Sequence, residues 1–181
     1  GLWSAPEVPA GSDMAVEGRS LATTSPAERL ETLSRVDVVF PVLHGTFGED
    51  GTVQGLLELS GVPYVGGGVL CSALAMDKIA FKDVVKSHGI PVPDYVWTSR
   101  RLWLADREAI LDKVEHQLGY PVFTKPANLG SSVGIQKCHD RNELRDGLDE
   151  AARYDRRVIA EWAVPAAREI EVSTSTPSMP A

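Results

Sequence analysis

The feature that most constrains this chain is a lysine that ends an apolar segment and is followed at once by a loop of small residues. Val122-Phe123-Thr124-Lys125-Pro126 leads into Ala127-Asn128-Leu129-Gly130-Ser131-Ser132-Val133-Gly134, and Ile135 to Cys138 then reads as a second strand. Gly130 and Gly134 let the backbone approach a ligand closely and adopt positive φ. The loop N–H groups and the hydroxyls of Ser131 and Ser132 can surround phosphate oxygens as a nest, and Lys125 supplies a compact positive charge. A plain β-hairpin with a solvated lysine satisfies the same pattern, since short Gly-rich motifs match often by chance.

The segments around this loop are those of an α/β protein. Residues 1–24 are rich in Gly, Ala, Pro and Ser without a sustained period and read as irregular. Ser25, Pro26 and Glu28 form a helix start, with Ser25 as N-cap, for a helix reaching about Ser34. Val36 to Phe40 is a buried-strand candidate, a helix carries Val53, Leu56 and Leu57 and stops at Gly61, and Val62 to Val65 is a short strand. That order predicts a parallel βαβ unit. The pattern changes near Leu74. A helix from Ser72 with Ile79, Phe81, Val84 and Val85 ends at Gly89, and Tyr95-Val96-Trp97 reads as a strand. A helix with Ile110, Val114 and Leu118 ends at Gly119. After the lysine loop, Asp140 and Glu143 cap a helix with Leu144, Leu148 and Ala151. Val158 to Glu161 and Glu169 to Val172 follow as strands, and residues 173–181 read as an irregular tail.

Charge and length narrow the function classes. A net charge of −7 argues against non-specific binding to nucleic acid or an anionic membrane, both of which need clustered cations. Nothing in the sequence has the length of a membrane span or the form of a secretory signal, so a cytoplasmic location is expected. Hydrophobic residues at 43% supply a sizeable core without a staple, and Cys71 and Cys138 have no metal-ligand spacing.

Other residues converge on an anionic ligand. Lys78, in Ala75-Met76-Asp77-Lys78, stands at a helix start, where the dipole disfavours cations. It is therefore either solvated or facing an anion held at that helix N-terminus. Glu161 ends an apolar strand, and Glu169 and Glu171 lie in another. Such carboxylates either accept from an adenine amino group or ribose hydroxyls, or are ordinary strand-end charges. His44-Gly45-Thr46-Phe47-Gly48-Glu49-Asp50-Gly51 follows a strand and opens a helix, the usual ligand position of an open α/β sheet. His44 is either a polariser of a carboxylate substrate or a loop histidine with a backbone partner. Asp50 reads as an N-cap, and Glu49 is open.

At these residues the chain resembles the D-alanine–D-alanine ligases, members of the ATP-grasp superfamily. The resemblance runs through Val42-Leu43-His44-Gly45 with Gly48-Glu49-Asp50-Gly51, then Gln54-Gly55, Leu57-Glu58-Leu59 and Pro63-Tyr64-Val65-Gly66. Ser72 to Lys78, the lysine loop, Ile159-Ala160-Glu161 and Arg168 to Val172 continue it in the family's order, from about Val36 to Val172. The lysine–glycine loop is common to many ATP-grasp proteins; the His-Gly…Gly-Glu-Asp-Gly element narrows the match.

The resemblance implies a partial N-terminal parallel βαβ (pre-ATP-grasp) domain over residues 1–74, and the central α+β nucleotide-binding lobe of an ATP-grasp fold over 75–172. It implies that Lys78 and Lys125 bind ATP phosphates, with Gly130, Ser131 and Ser132 covering them and Ser131 approaching the first D-alanine. Glu161 and the backbone to Val164 would hold adenine, Glu169 the ribose, and His44 would sit by the substrate. Family members are typically homodimers, and their substrates are ATP and D-alanine. Against the family pattern, residues 1–24 show no match to its opening Gly-rich strand–loop, and the tail resembles no part of its C-terminal lobe. A polypeptide truncated at both ends, inactive alone, is therefore expected, with the Mg2+ ligands in the absent C-terminal lobe and no metal ligands here. The alternatives are another ATP-grasp ligase, which has no reason to carry His44 to Gly51, and a non-catalytic remnant.

Overall fold

The computed structural model describes residue 33, residues 35–130, residues 132–168 and residue 170. Leu33 and Ile170 aside, the helix expected from Ser25, the strand Glu169 to Val172 and both irregular termini lie outside the described residues. Two compact units form, one within residues 1–83 and 128–132, the other within residues 84–127 and 133–181. Compactness thus divides the polypeptide at Asp83 and again at the two ends of the loop, whereas the sequence suggested one change of pattern near Leu74.

In the first unit Val39 and Tyr64 form a parallel bridge. Val39 N–H donates to Pro63 O at 2.9 Å, and Val65 N–H donates to Val39 O at 3.0 Å. Helix α1 (Thr52–Leu59) lies between them in sequence, so the expected parallel strand–helix–strand order is present. Among the described residues its strands are shorter than expected, with Val39 and Tyr64 as the paired positions. Val36, Val38 and Phe40 are 43%, 56% and 70% exposed, so this segment is not the buried strand expected.

Helix α1 buries Val53, Gln54 and Leu57, so Gln54 takes the place expected for Leu56, and its amide donates to Gly48 O at 3.1 Å. Gly51, not Asp50, occupies the N-cap position, at φ 90°. A Cβ there would meet Val69 O at 2.8 Å, so a glycine is required where α1 starts against α2 (Val69–Met76). Asp50 still steadies the turn, its carboxylate accepting from Thr52 N–H at 3.0 Å and Phe47 N–H at 2.8 Å. The single helix expected from Ser72 to Gly89 is broken at Asp77, whose backbone is extended. Asp77 Oδ1 accepts from Ile79 and Ala80 N–H, both at 3.1 Å, and so caps a new helix, α3 (Lys78–Ser87).

The second unit is an antiparallel sheet with helices on one face. Strands β1 (Tyr95–Ser99), β2 (Val122–Pro126), β3 (Gln136–Cys138) and β4 (Arg157–Trp162) stand in the order β1-β4-β2-β3. Helices α4 (Arg100–Ala105), α5 (Arg107–Leu118) and α6 (Arg141–Tyr154) connect them. Helix α4 was not expected; Ser99, whose hydroxyl accepts from Leu102 N–H, was its sequence signal. Asp140 caps α6 as expected, accepting from Asn142 and Glu143 N–H, while Glu143 reaches back to His139 N–H at 2.7 Å.

Side chains alternate across a strand, and the register fixes which ones share a face. Val96, Val122, Cys138, Val158 and Ala160 join Trp103, Leu111, Val114, Leu144, Leu148, Ala151 and Ala152 in one buried core. The opposite face carries Tyr95, Trp97, Phe123, Lys125, Lys137, Ile159 and Glu161. Helix α6 sits flush on the core face because residue 147 is glycine. A Cβ there would lie 2.4 Å from Thr124 Oγ1 and 2.9 Å from Cys138 Sγ.

Gly147→Ala is therefore expected to destabilise the protein. Overpacking costs about 1–3 kcal/mol, against a gain in helix propensity of roughly 1 kcal/mol. Urea denaturation measures the balance, and an alanine variant as stable as the parent contradicts this packing.

Candidate functional site

In the first unit three stretches far apart in sequence meet. Asp77 and Asn128 form an antiparallel bridge, and Asn128 Nδ2 lies 3.4 Å from Asp77 Oδ2, to which it donates. The next residue of each stretch adds to this, because Lys78 Nζ donates to Leu129 O. Gly130 follows, and the nearest atom to a Cβ built on it is Glu49 Oε2, at 3.9 Å. Glu49 Oε2 in turn accepts from Gly45 N–H at 2.6 Å. The start of the loop is thus held against the first turn of α3 and beside the His44 to Gly51 turn. Lys78 is part-buried, and at the start of α3 it finds a carbonyl acceptor to offset its unfavourable place on the dipole.

The loop's conformation differs in one respect from expectation. Gly134 has φ 68°, and a Cβ there would meet Tyr154 and Pro126 at 2.8 and 2.9 Å, so this glycine is required for close approach. Gly130 does not have a positive φ; Ser132 does, at 57°. The cost of a left-handed serine, of order 1 kcal/mol or more, is a strain of the kind that collects at ligand-binding turns.

In the second unit, β2 and β4 bring Lys125 and Glu161 together. Phe123 lies directly opposite Glu161, and Lys125 stands one step further along the same face. Lys125 Nζ and Glu161 Oε2 are 2.7 Å apart, with side chains 21% and 7% exposed. Phe123 lies beneath two ammonium groups, Lys125 Nζ at 5.6 Å and Lys137 Nζ at 5.8 Å from its ring centre. Sequence reasoning passed over Phe123 and Lys137; period-two alternation from Lys125 was the signal for the first. This face offers an aromatic ring, a buried carboxylate and two cations, a set suited to a planar base and an anionic group.

His44 and Val164 are exposed. Ser131 and Glu169 lie outside the described residues. Among the described residues no three His, Cys, Asp or Glu side chains come together as a metal site. Two grooves flank β1, and neither is lined by Lys125, Glu161 or the loop.

The model of the family described as "D-ala D-ala ligase C-terminus" matches residues 84–178, and that of the "D-ala D-ala ligase N-terminus" matches residues 4–67. The chain belongs to the D-alanine–D-alanine ligase family. Two matches correct the sequence reading. The resemblance was expected from about Val36 to Val172; the N-terminal model matches from residue 4, and the C-terminal model covers the tail, expected to resemble no part of that lobe, to residue 178. The D-alanine–D-alanine ligase of Natranaerobius thermophilus is 54% identical over 143 residues, which are 79% of this chain and 39% of that protein. That of a Thermoanaerobacter species is 50% identical over 173 residues, covering 96% of this chain and 47% of the relative. The crystal structure of VanG D-Ala:D-Ser ligase from Enterococcus faecalis and the structure of the D-alanine-D-alanine ligase from Coxiella burnetii superpose with TM-scores of 0.65 and 0.66 at 45% and 39% identity. Each covers 71% of this chain and 36% and 38% of the respective neighbour. The chain therefore spans less than half the length of these relatives.

Removing Lys125 takes away the ammonium that lies 2.7 Å from the buried Glu161 carboxylate. Lys125→Met is expected to cost about 3 kcal/mol, near the lower end for breaking a buried pair because the lysine is partly exposed. Lys125→Met with Glu161→Leu should recover much of that loss. A double-mutant cycle by chemical denaturation measures it, and additive losses contradict a coupled pair.

Proposed function

We propose that the protein of this sequence is an ATP-dependent carboxylate–amine ligase that joins D-alanine to D-alanine, supplying a precursor for peptidoglycan. The observation that carries the reading is the meeting of the Asn128 to Gly130 loop with Asp77-Lys78 and with Glu49 of the His44 turn. One compact unit thereby joins a phosphate-type loop to the turn that sets this family apart from other ATP-grasp ligases. The relatives' names supply D-alanine for both positions, while one structural neighbour is named for D-serine as its second substrate.

On this reading a carboxylate oxygen of the first D-alanine attacks the γ-phosphorus of ATP. The bond to ADP breaks and an acyl phosphate forms. The second D-alanine, its ammonium having lost a proton, attacks the acyl carbon; the C–N bond forms and inorganic phosphate leaves. Chemistry of this kind is driven by positioning and by neutralisation of charge on the phosphoryl oxygens. Lys78 and Lys125 supply that neutralisation, and Gly130, Ser131 and Ser132 cover the phosphates, with Ser131 towards the first D-alanine. Phe123 and Glu161 face the base, Val164 contributes backbone to it, Glu169 takes the ribose, and His44 orients the substrate carboxylate.

The domain reading follows: residues 1–74 form the substrate-side domain and 75–172 the nucleotide-binding lobe. Mg2+, when bound, would neutralise phosphate charge, with ligands supplied by the family's C-terminal lobe rather than by the residues named above. Among the described residues no helix is long and apolar enough to cross a membrane. A cytoplasmic location and homodimeric assembly are proposed with this function, as typical of the family.

Thermal-shift titration tests the reading. Saturating Mg-ATP should raise the melting temperature, a ligand at one hundred times its Kd contributing about 2.7 kcal/mol. D-alanine should add a further rise. Lys78→Ala should weaken ATP binding ten- to a hundredfold, roughly the loss of a charge-assisted hydrogen bond of 1.5–3 kcal/mol. No shift with either ligand contradicts the proposal.

A further inference from the structure

Glu49 is the one charged residue of the His44 to Gly51 turn that the proposed chemistry leaves without a task, since Asp50 is committed to the start of α1. Its geometry is specific. A single carboxylate oxygen, Oε2, accepts from Gly45 N–H at 2.6 Å and is also the atom nearest to a Cβ built on Gly130, at 3.9 Å. Gly45 follows His44 directly and takes φ 75°, while its carbonyl accepts from Gly48 N–H at 3.2 Å and Glu49 N–H at 2.9 Å. Gly45 is thus clamped from both sides by residue 49, through main chain and side chain. Moving the Glu49 side chain shifts the peptide that joins His44 to Gly45, and the same carboxylate oxygen stands close to Gly130 of the loop.

We propose that Glu49 is a positioning residue that couples the two halves of the site, so that phosphate binding in the loop and amino-acid binding beside His44 assist each other. This rests on the proposed function, and it adds a reciprocal linkage that static neighbours alone do not require. The contact depends on the length of the side chain and its oxygen acceptor rather than on its charge, because the partner is a neutral backbone N–H. Glu49→Gln therefore keeps the link. Glu49→Asp keeps the charge but is one methylene too short to hold Gly45 and border Gly130 together, and Glu49→Ala loses both.

The test measures Mg-ATP binding to this protein by calorimetry, with and without saturating D-alanine. In the parent protein, added D-alanine is expected to tighten ATP binding at least about fivefold, the lower end of ordinary coupling between sites. In Glu49→Gln the coupling persists. In Glu49→Asp and Glu49→Ala it falls to within about twofold of unity, while ATP affinity measured alone changes by less than about threefold, a structural loss being expected to exceed that. A purely structural role would lower melting temperature and both affinities without separating the glutamine from the aspartate variant. Should the alanine variant not fold, the aspartate and glutamine pair still decides. Undiminished coupling in Glu49→Asp, lost coupling in Glu49→Gln, or no coupling in a parent protein that binds both ligands overturns the inference alone. A parent protein that binds neither ligand overturns the proposed function and this inference with it.

Discussion

The register between β2 and β4 is the constraint on which the sheet-containing unit of this structure depends. With Phe123 opposite Glu161 and Thr124 opposite Ala160, alternate side chains are committed to opposite faces. Val122, Thr124 and Pro126 go under the helices, and Phe123 and Lys125 go to the other side. A slip of one residue would bury Lys125 beneath α6 and bring Thr124 out. Gly147 holds the helix against this register, since its missing Cβ leaves room for Thr124 and Cys138. The Lys125–Glu161 pair is then a product of packing on the far face of the sheet. Its desolvation is tolerable because two opposite charges share it.

The first unit works by a different device. Among the described residues it has little regular pairing, one parallel bridge and one antiparallel bridge, and many of its apolar side chains are exposed. What orders its functional residues is local hydrogen bonding at chain reversals. Asp50 holds the entry to α1, Asp77 caps α3, Lys78 takes Leu129 O, and Glu49 takes Gly45 N–H. Side chains bonded to backbone N–H and C=O groups at these reversals fix the local direction of the backbone.

Much of this was legible in the sequence, and the exceptions are instructive. The lysine strand, the helix ending at Gly119, the capped helix after Asp140 and the strand ending in Glu161 follow from period and capping signals, which are local. The break at Asp77 was missed because the apolar period runs through it, while the competing cap, an aspartate before Lys-Ile-Ala, weighs little in a window count. The partnership of Asn128 with Asp77 and of Gly130 with Glu49 joins residues too distant for any local signal. Gly130 was expected to be needed for its φ, yet the positive φ falls at Ser132, and a Cβ on Gly130 would meet nothing nearer than Glu49 Oε2 at 3.9 Å, so no protein contact requires a glycine there. The family resemblance placed the motifs in order from about Val36, while the family's N-terminal model extends to residue 4, over positions that carry no recognisable motif.

The central claim is that the lysine loop and the residues brought to it hold a nucleotide triphosphate. Titration of the isotopically labelled protein with Mg-ATP, followed by amide chemical shifts, tests it most directly. Perturbations concentrated at Asn128 to Gly134, Asp77 to Ala80, Lys125 and Glu161 to Val164 are the predicted result. Shifts confined to other residues, or none at saturating nucleotide, would contradict the account.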